Sequence, residues 1–151
     1  MGSLDDLKIL DFSTLLPGPY ATLMLADMGA EVLKISSASR PDIVLDYPPF
    51  IGDTGVSASQ AWLGRNKKTM FLNLKTGEGK AVVKELVKEY DIVLEQFRPG
   101  VMEKLGLGYE DLKAVTCVSL HMPQEKPFIY RSAIFIPPIN PIRPSIMAIF
   151  R

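Results

Sequence analysis

An α/β fold is predicted: a Rossmann-like parallel sheet with flanking helices, followed by an irregular Pro-rich tail. Three observations carry this. Apolar runs of strand length alternate with stretches of helical period, which implies parallel strands joined by helical crossovers. The first such group, Leu7 to Ile35, reads as a complete strand–helix–strand unit. Six of the 12 prolines fall in the last 36 residues, where neither a helix nor a central strand could hold them.

Within that first unit, Lys8 to Phe12 carries Ile9, Leu10 and Phe12 and has the length of a strand. Ser13 to Pro19 is a turn-forming patch ending in Pro17-Gly18-Pro19. Tyr20 to Met28 sets Leu23, Met24 and Asp27 at helical spacing and stops at Gly29, and Glu31 to Ile35 is a second strand. This order puts a helix N-terminus, with free N–H groups and a positive dipole end, at the carboxyl edge of the sheet. Ser36 to Ser59 holds three prolines and no sustained period, so a long surface excursion is expected, of the kind that is often functional. Trp62 leads into a cationic turn, Gly64 to Lys68. Thr69 to Leu74 alternates Met70, Leu72 and Leu74 against Phe71 and Asn73 and reads as a strand. Thr76 suits the N-cap of a helix with Val82, Val83, Leu86, Val87 and Tyr90 on its inner face. Asp91 to Phe97 is a strand of the buried parallel type, Val101 to Leu105 a short helix, and Tyr109 to Val115 one or two further helical turns. The domain is expected to run over residues 1–115, with 116–151 a Pro/Ile-rich tail that is not a domain.

A chain of 151 residues is long enough to bury one core. Its formal net charge of +0 offers no global attraction to nucleic acid or to an anionic membrane. The balance is uneven: residues 1–115 carry 13 basic and 16 acidic side chains, whereas residues 116–151 carry four and one. The single cysteine, Cys117, excludes an internal disulfide and a cysteine-based metal site within one chain. No apolar run approaches the roughly 18 residues of a membrane span, and no signal-peptide pattern opens the chain. A cytoplasmic protein is expected.

In a doubly wound sheet, ligands bind where the carboxyl-edge turns converge. The turns expected there are Leu15 to Gly18, Arg65 to Lys68 with Asn73 and Lys75, and Gln96-Phe97-Arg98. Cations, helix N-termini and an aromatic ring suit a ligand with phosphates and a flat base. The plainer alternative is that Arg65, Lys67 and Lys68 form a solvated turn. No GxGxxG follows the first strand and no P-loop signature occurs, which leaves the standard dinucleotide and P-loop readings without support. His121, the only histidine, and Cys117 lie in the tail. Asp11, Asp27 and Asp91 sit where strand and helix ends place capping or structural residues. No nucleophile–base pair and no metal-ligand set is expected.

The stretches LKILDFSTLLPGPYATLMLADMGAEVLKI, GRNKKTMFLNLKTGEGKAVVKEL and DIVLEQFRPGVMEKLGLGYEDL, in this order and spacing, resemble the N-terminal part of the family III CoA-transferases. That family includes formyl-CoA and carnitine CoA-transferases and the α-methylacyl-CoA racemases. The resemblance covers residues 4 to 115. It implies a Rossmann-like large domain, here truncated, that takes coenzyme A or acyl-CoA as substrate rather than as a permanently bound cofactor. The positions matching the family's CoA contacts are Leu16 and Pro17, then Leu72, Asn73, Leu74 and Lys75, then Gln96, Phe97 and Arg98, and finally Lys104 in the following helix. After Lys34-Ile35 the family usually carries an acidic residue and then an arginine for a CoA phosphate. This chain has Ser36 and Ser37, so either Arg40 substitutes from a shifted loop or that phosphate goes unheld. Leu16-Pro17-Gly18-Pro19 and FRPGVMEKLGLG resemble the racemase branch more than the formyl-transferase branch.

The same resemblance implies chemistry at an aspartate farther along, past an Asn-Pro-Arg-hydrophobic strand and a glycine-rich turn. In the transferases it attacks acyl-CoA to form a mixed anhydride and then an aspartyl-CoA thioester; in the racemases an Asp and a His exchange the α-proton. Thr116-Cys117-Val118-Ser119-Leu120 departs from those landmarks, and His121 lacks the family's Gly-His-Asp context, so no catalytic residue is assigned. Family members form interlocked homodimers, which this chain is not expected to complete, and the tail reads as a shifted frame or unspliced sequence. One reading is therefore the CoA-binding N-terminal part of a CoA-transferase or acyl-CoA racemase, inactive by itself. The others are a non-catalytic CoA-binding or dimerisation fragment, and a product that folds poorly with its sheet edge exposed. No nucleic-acid or membrane partner is expected.

Overall fold

The computed structural model describes residues 2–37, 39–40, 42–116 and 134–135. Strands and helices alternate along the chain. They are β1 Lys8–Asp11, α1 Pro17–Asp27, β2 Glu31–Ser36, α2 Ala58–Gly64, β3 Lys67–Phe71, α3 Gly77–Leu86, β4 Ile92–Leu94, α4 Val101–Lys104, α5 Tyr109–Thr116 and β5 Ile134–Phe135. The sheet order is β3-β2-β1-β4-β5, with the first four parallel and β5 antiparallel to β4. Ile9 stands level with Val32 and with Ile92, so β1 lies centrally between β2 and β4.

Alternation along the strands sorts the side chains into two layers. Leu10, Phe12, Leu33, Ile35 and Val93 pack with Val83 of α3, Val87 just past its end, Met102 of α4 and Leu112 of α5. Ile9, Val32 and Leu94 pack on the opposite face with Ala26 of α1 and with Ala30. Leu10 is fully buried at the centre of this arrangement, where truncation to Ala would cost roughly 2–5 kcal/mol. The chain leaves β1 toward one face and β4 toward the other. Their carboxyl ends therefore flank the crevice at which doubly wound sheets receive ligands.

Several boundaries differ from expectation for local reasons. Helix α1 starts at Pro17 rather than Tyr20, because proline at the first helical position needs no N–H partner and already has the helical φ. Strand β3 is Lys67–Phe71 rather than Thr69 to Leu74. Leu72 N–H still donates to Ser36 O at 2.9 Å, but the chain then turns back, with Thr76 N–H donating to Asn73 O at 3.2 Å. Val83 of α3, with Val87 and Tyr90 after its end, forms the buried stripe, and Val82, a helical step of about 100° from Val83, is exposed.

The excursion after β2 leads into α2, whose first two residues, Ala58 and Ser59, lie within the stretch expected to be irregular. Ser57 caps it, accepting from Gln60 N–H at 3.0 Å, and the Ser57-x-x-Gln60 spacing was its signature. The reading of residues 116–151 as an irregular tail, with Cys117 and His121 in it, lies outside the described residues, apart from the end of α5 and the short edge strand β5. Among the described residues no helix is long and apolar enough to cross a membrane.

Candidate functional site

The turn between β1 and α1 rests on a buried polar floor. Asp11, fully buried, accepts hydrogen bonds from Ser13 N–H at 2.8 Å, from the Ser13 hydroxyl, and from the Thr22 hydroxyl at 2.7 Å. Lys34 Nζ donates to Ser13 O at 2.7 Å and lies 3.9 Å from the buried Asp42 carboxylate. Lys67 Nζ donates to Pro19 O at 2.6 Å and to Thr22 Oγ1 at 2.7 Å, 4.0 Å from Asp11 Oδ2. Burial pushes the Lys67 ammonium down to about 8, against the opposing pull of Asp11. Two acids and two bases thus neutralise one another under the turn, and neither lysine is available to a phosphate at the surface.

The N-terminus of α1 is mostly closed. Pro17 and Pro19 have no N–H, and the N–H of Gly18 donates to Gln96 Oε1 at 2.9 Å. The Gln96 amide nitrogen donates in turn to Thr14 O. The expectation of free N–H groups at this helix start is therefore corrected for three of the four: prolines remove two of the donors and a side chain from β4's exit takes a third. What the turn presents outward is apolar, with Leu15 and Leu16 both exposed. Leu15 adopts φ 61°, a left-handed conformation that costs a residue with a side chain about 1–2 kcal/mol.

The turn after β3 is built by its own side chains. Asn73 Oδ1 accepts from Lys75 N–H at 3.1 Å, and the Thr76 hydroxyl donates to Asn73 O at 3.0 Å while accepting from Gly79 N–H at 3.2 Å as the cap of α3. Leu72 and Leu74 pack against the same core cluster as Phe97. After β4, Phe97 N–H donates to Glu95 Oε2 at 2.7 Å. Burial raises the Glu95 carboxyl pKa, the Phe97 N–H opposes this, and Glu103 adds to the rise. Gly100, at φ 84°, then opens α4.

The predicted site residues fall as follows. Across the β1–β4 crevice Gln96 bonds to Thr14 and Gly18, the residues on either side of Leu16 and Pro17. Leu72, Asn73, Leu74 and Lys75 follow β3, and Phe97 and Arg98 follow β4, on the same rim. Three strand spacings of about 4.8 Å separate β3 from β4, so the two groups stand roughly 14 Å apart. Lys75, Arg98, Lys104 and Arg40 are all exposed.

The Arg65 to Lys68 turn, in contrast, belongs to the opposite rim. Because β3 runs parallel to β2 and begins at Lys67, Arg65 and Asn66 enter the sheet from its amino edge. Arg65 and Asn66 bond to Asp27 at the end of α1, and Lys68 Nζ lies 3.3 Å from Glu31. Asp11, Asp27 and Asp91 are structural as expected, Asp91 accepting from Lys8 N–H at 2.8 Å. Sequence reasoning missed Asp42 and the buried Lys34. The signal for Lys34 was its place in the middle of a strand covered on both faces, where a charge has to find a partner. Among the described residues no group of His, Cys, Asp and Glu side chains could hold a metal ion.

A family model for CoA-transferase family III matches residues 4–117. The chain is similar to the succinyl-CoA:mesaconate CoA-transferase of Haloarcula marismortui, at 42% identity over 118 residues covering 75% of this chain and 29% of that protein. It is 38% identical over 113 residues to the succinyl-CoA:glutarate CoA-transferase of Homo sapiens, covering 74% of this chain and 25% of that one. The crystal structure of a CAIB/BAIF family protein from Brucella suis matches with a TM-score of 0.70 at 36% identity, over 76% of this chain and 31% of that chain. The chain spans less than a third of the length of each of these relatives.

Proposed function

The chain belongs to CoA-transferase family III, and from that premise we propose that its carboxyl rim binds the CoA portion of acyl-CoA thioesters. The observation that carries this reading is the common rim. Leu16 and Pro17, the Leu72–Lys75 turn and the Gln96–Arg98 loop leave different strands of one parallel sheet at the same edge. Exposed leucines of the β1–α1 turn offer an apolar surface, and the exposed Lys75, Arg98, Lys104 and Arg40 offer cations to phosphates. For the full-length protein we propose CoA transfer rather than racemisation, since the relatives compared above are named as transferases. Succinyl-CoA is the first donor to assay, because both names carry it.

Calorimetric titration of CoA into the chain tests the binding. Arg98→Ala and Lys75→Ala should each remove a charge-assisted phosphate contact, weakening binding by roughly 1.5–3 kcal/mol, about 10- to 150-fold. No heat with millimolar CoA would remove the proposal. We further propose that the 151-residue chain does not turn acyl-CoA over, because residues 116–151 offer no counterpart to the aspartate that the resemblance implies. Transfer from succinyl-CoA above background would refute that part.

A further inference from the structure

The β1–α1 turn is fastened from both neighbouring strands. From the exit of β2, Asp42 Oδ2 accepts the N–H of Leu15 at 2.9 Å. The Asp42 carboxylate is itself anchored, accepting from Val44 N–H at 3.2 Å and lying 3.9 Å from Lys34 Nζ, with a side chain only 5% exposed. From the exit of β4, Gln96 spans the crevice to accept from Gly18 N–H and donate to Thr14 O. Between these two fasteners sits Leu15 in its left-handed conformation, which persists only where surrounding contacts over-determine it. The polar end of Gln96 is directed at the turn, so its matching of a family contact position is accounted for without a hydrogen bond to a ligand.

We propose that Asp42 and Gln96 are positioning residues that hold the turn so that Leu15 and Leu16 project at the rim before any ligand arrives. Released from either side, the turn would leave the left-handed conformation, and a ligand would have to order it again at the expense of affinity. The part of this proposal that concerns affinity rests on the CoA reading above.

Amide hydrogen exchange on the full 151-residue chain, with and without CoA, separates the two. Without CoA, exchange at Gly18 should be at least tenfold faster in Gln96→Leu, and exchange at Leu15 at least tenfold faster in Asp42→Ala, with the Ile9 and Val32 amides within threefold of wild type. The CoA Kd should rise at least tenfold in both variants. Asp42→Asn, which keeps an acceptor oxygen for Leu15 N–H, should return it to within threefold. If Gln96→Leu does not fold, Gln96→Met, which keeps the length of the side chain but neither accepts from Gly18 nor donates to Thr14, takes its place, and the exchange and Kd changes are read on it. Unchanged exchange at Leu15 and Gly18 would overturn the proposal, as would faster exchange with an unchanged Kd. A wild-type chain without CoA affinity would instead overturn the CoA reading, and the exchange rates alone would then decide whether the turn is held as described.

Discussion

A Cβ on Gly79 would lie 2.1 Å from the carbonyl oxygen of Asn73. Helix α3 thus approaches the turn after β3 as closely as a bare backbone permits. In an ordinary helix, alanine is favoured over glycine by about 1 kcal/mol. Here Gly79→Ala should instead destabilise the protein by about 1–3 kcal/mol, because the obstacle is backbone rather than a mobile side chain. Gly77, in the same helix with nothing within 4 Å of its added Cβ, is the control: Gly77→Ala should be neutral or stabilising by up to about 1 kcal/mol. Urea midpoints of the two variants, lowered for Gly79→Ala and level or raised for Gly77→Ala, check this.

Lys67 should make stability rise with pH. Its ordinary value of 10.5 applies in the unfolded chain, and burial lowers it to about 8 in the fold. Between these values the unfolded chain binds more protons than the folded one, so raising the pH stabilises the fold. Tyr90 acts in the other direction, since burial and Glu31 push its hydroxyl up from 10.0 to about 12, and stability falls across that interval. The window free of Tyr90 is therefore from about 8 to about 10. Chemical denaturation there should show a rising midpoint that Lys67→Met flattens; a flat wild-type profile would contradict the buried ammonium.

Two aspartates on α1's face of the sheet should differ sharply on neutralisation. Asp11→Asn removes a fully buried charge that faces Lys67 and takes three donated hydrogen bonds, and should cost about 3–5 kcal/mol. Asp27, whose carboxyl is held below its ordinary value by hydrogen bonds from Arg65, sits with that partner in solvent. Asp27→Asn should change the urea midpoint little, and less still at about 1 M salt, where the Debye length falls to about 3 Å.

Ser57 ties α2 to the long excursion. Its hydroxyl donates to Leu45 O while its oxygen accepts from Gln60 N–H. Ser57→Ala should cost about 1–2 kcal/mol as a lost cap. Ser57→Asp, which keeps the cap acceptor but cannot donate to Leu45, should recover only part of the loss in the same denaturation assay.

The local elements were legible in the residues because each is written within a few positions. Ile9-Leu10 and Val32-Leu33 declare strands buried on both faces, Thr76 declares a cap three residues before Gly79, and the crossover between them sets a parallel order. The resemblance of three separated blocks also sufficed to name the family. What only the tertiary structure decided were the meetings of distant residues. Gln96 reaches Gly18 across 78 positions and closes a helix start that looked open, and Arg65 joins Asp27 at the amino rim rather than serving the carboxyl one. Lys67 belonged to a cationic turn in the sequence, and Lys34 was one letter of a strand, until the sheet buried them against Asp11 and Asp42. Periodicity and capping are short-range and survive in a string of letters. The rim to which a charge belongs depends on strand order and register, which exist only once the sheet has formed.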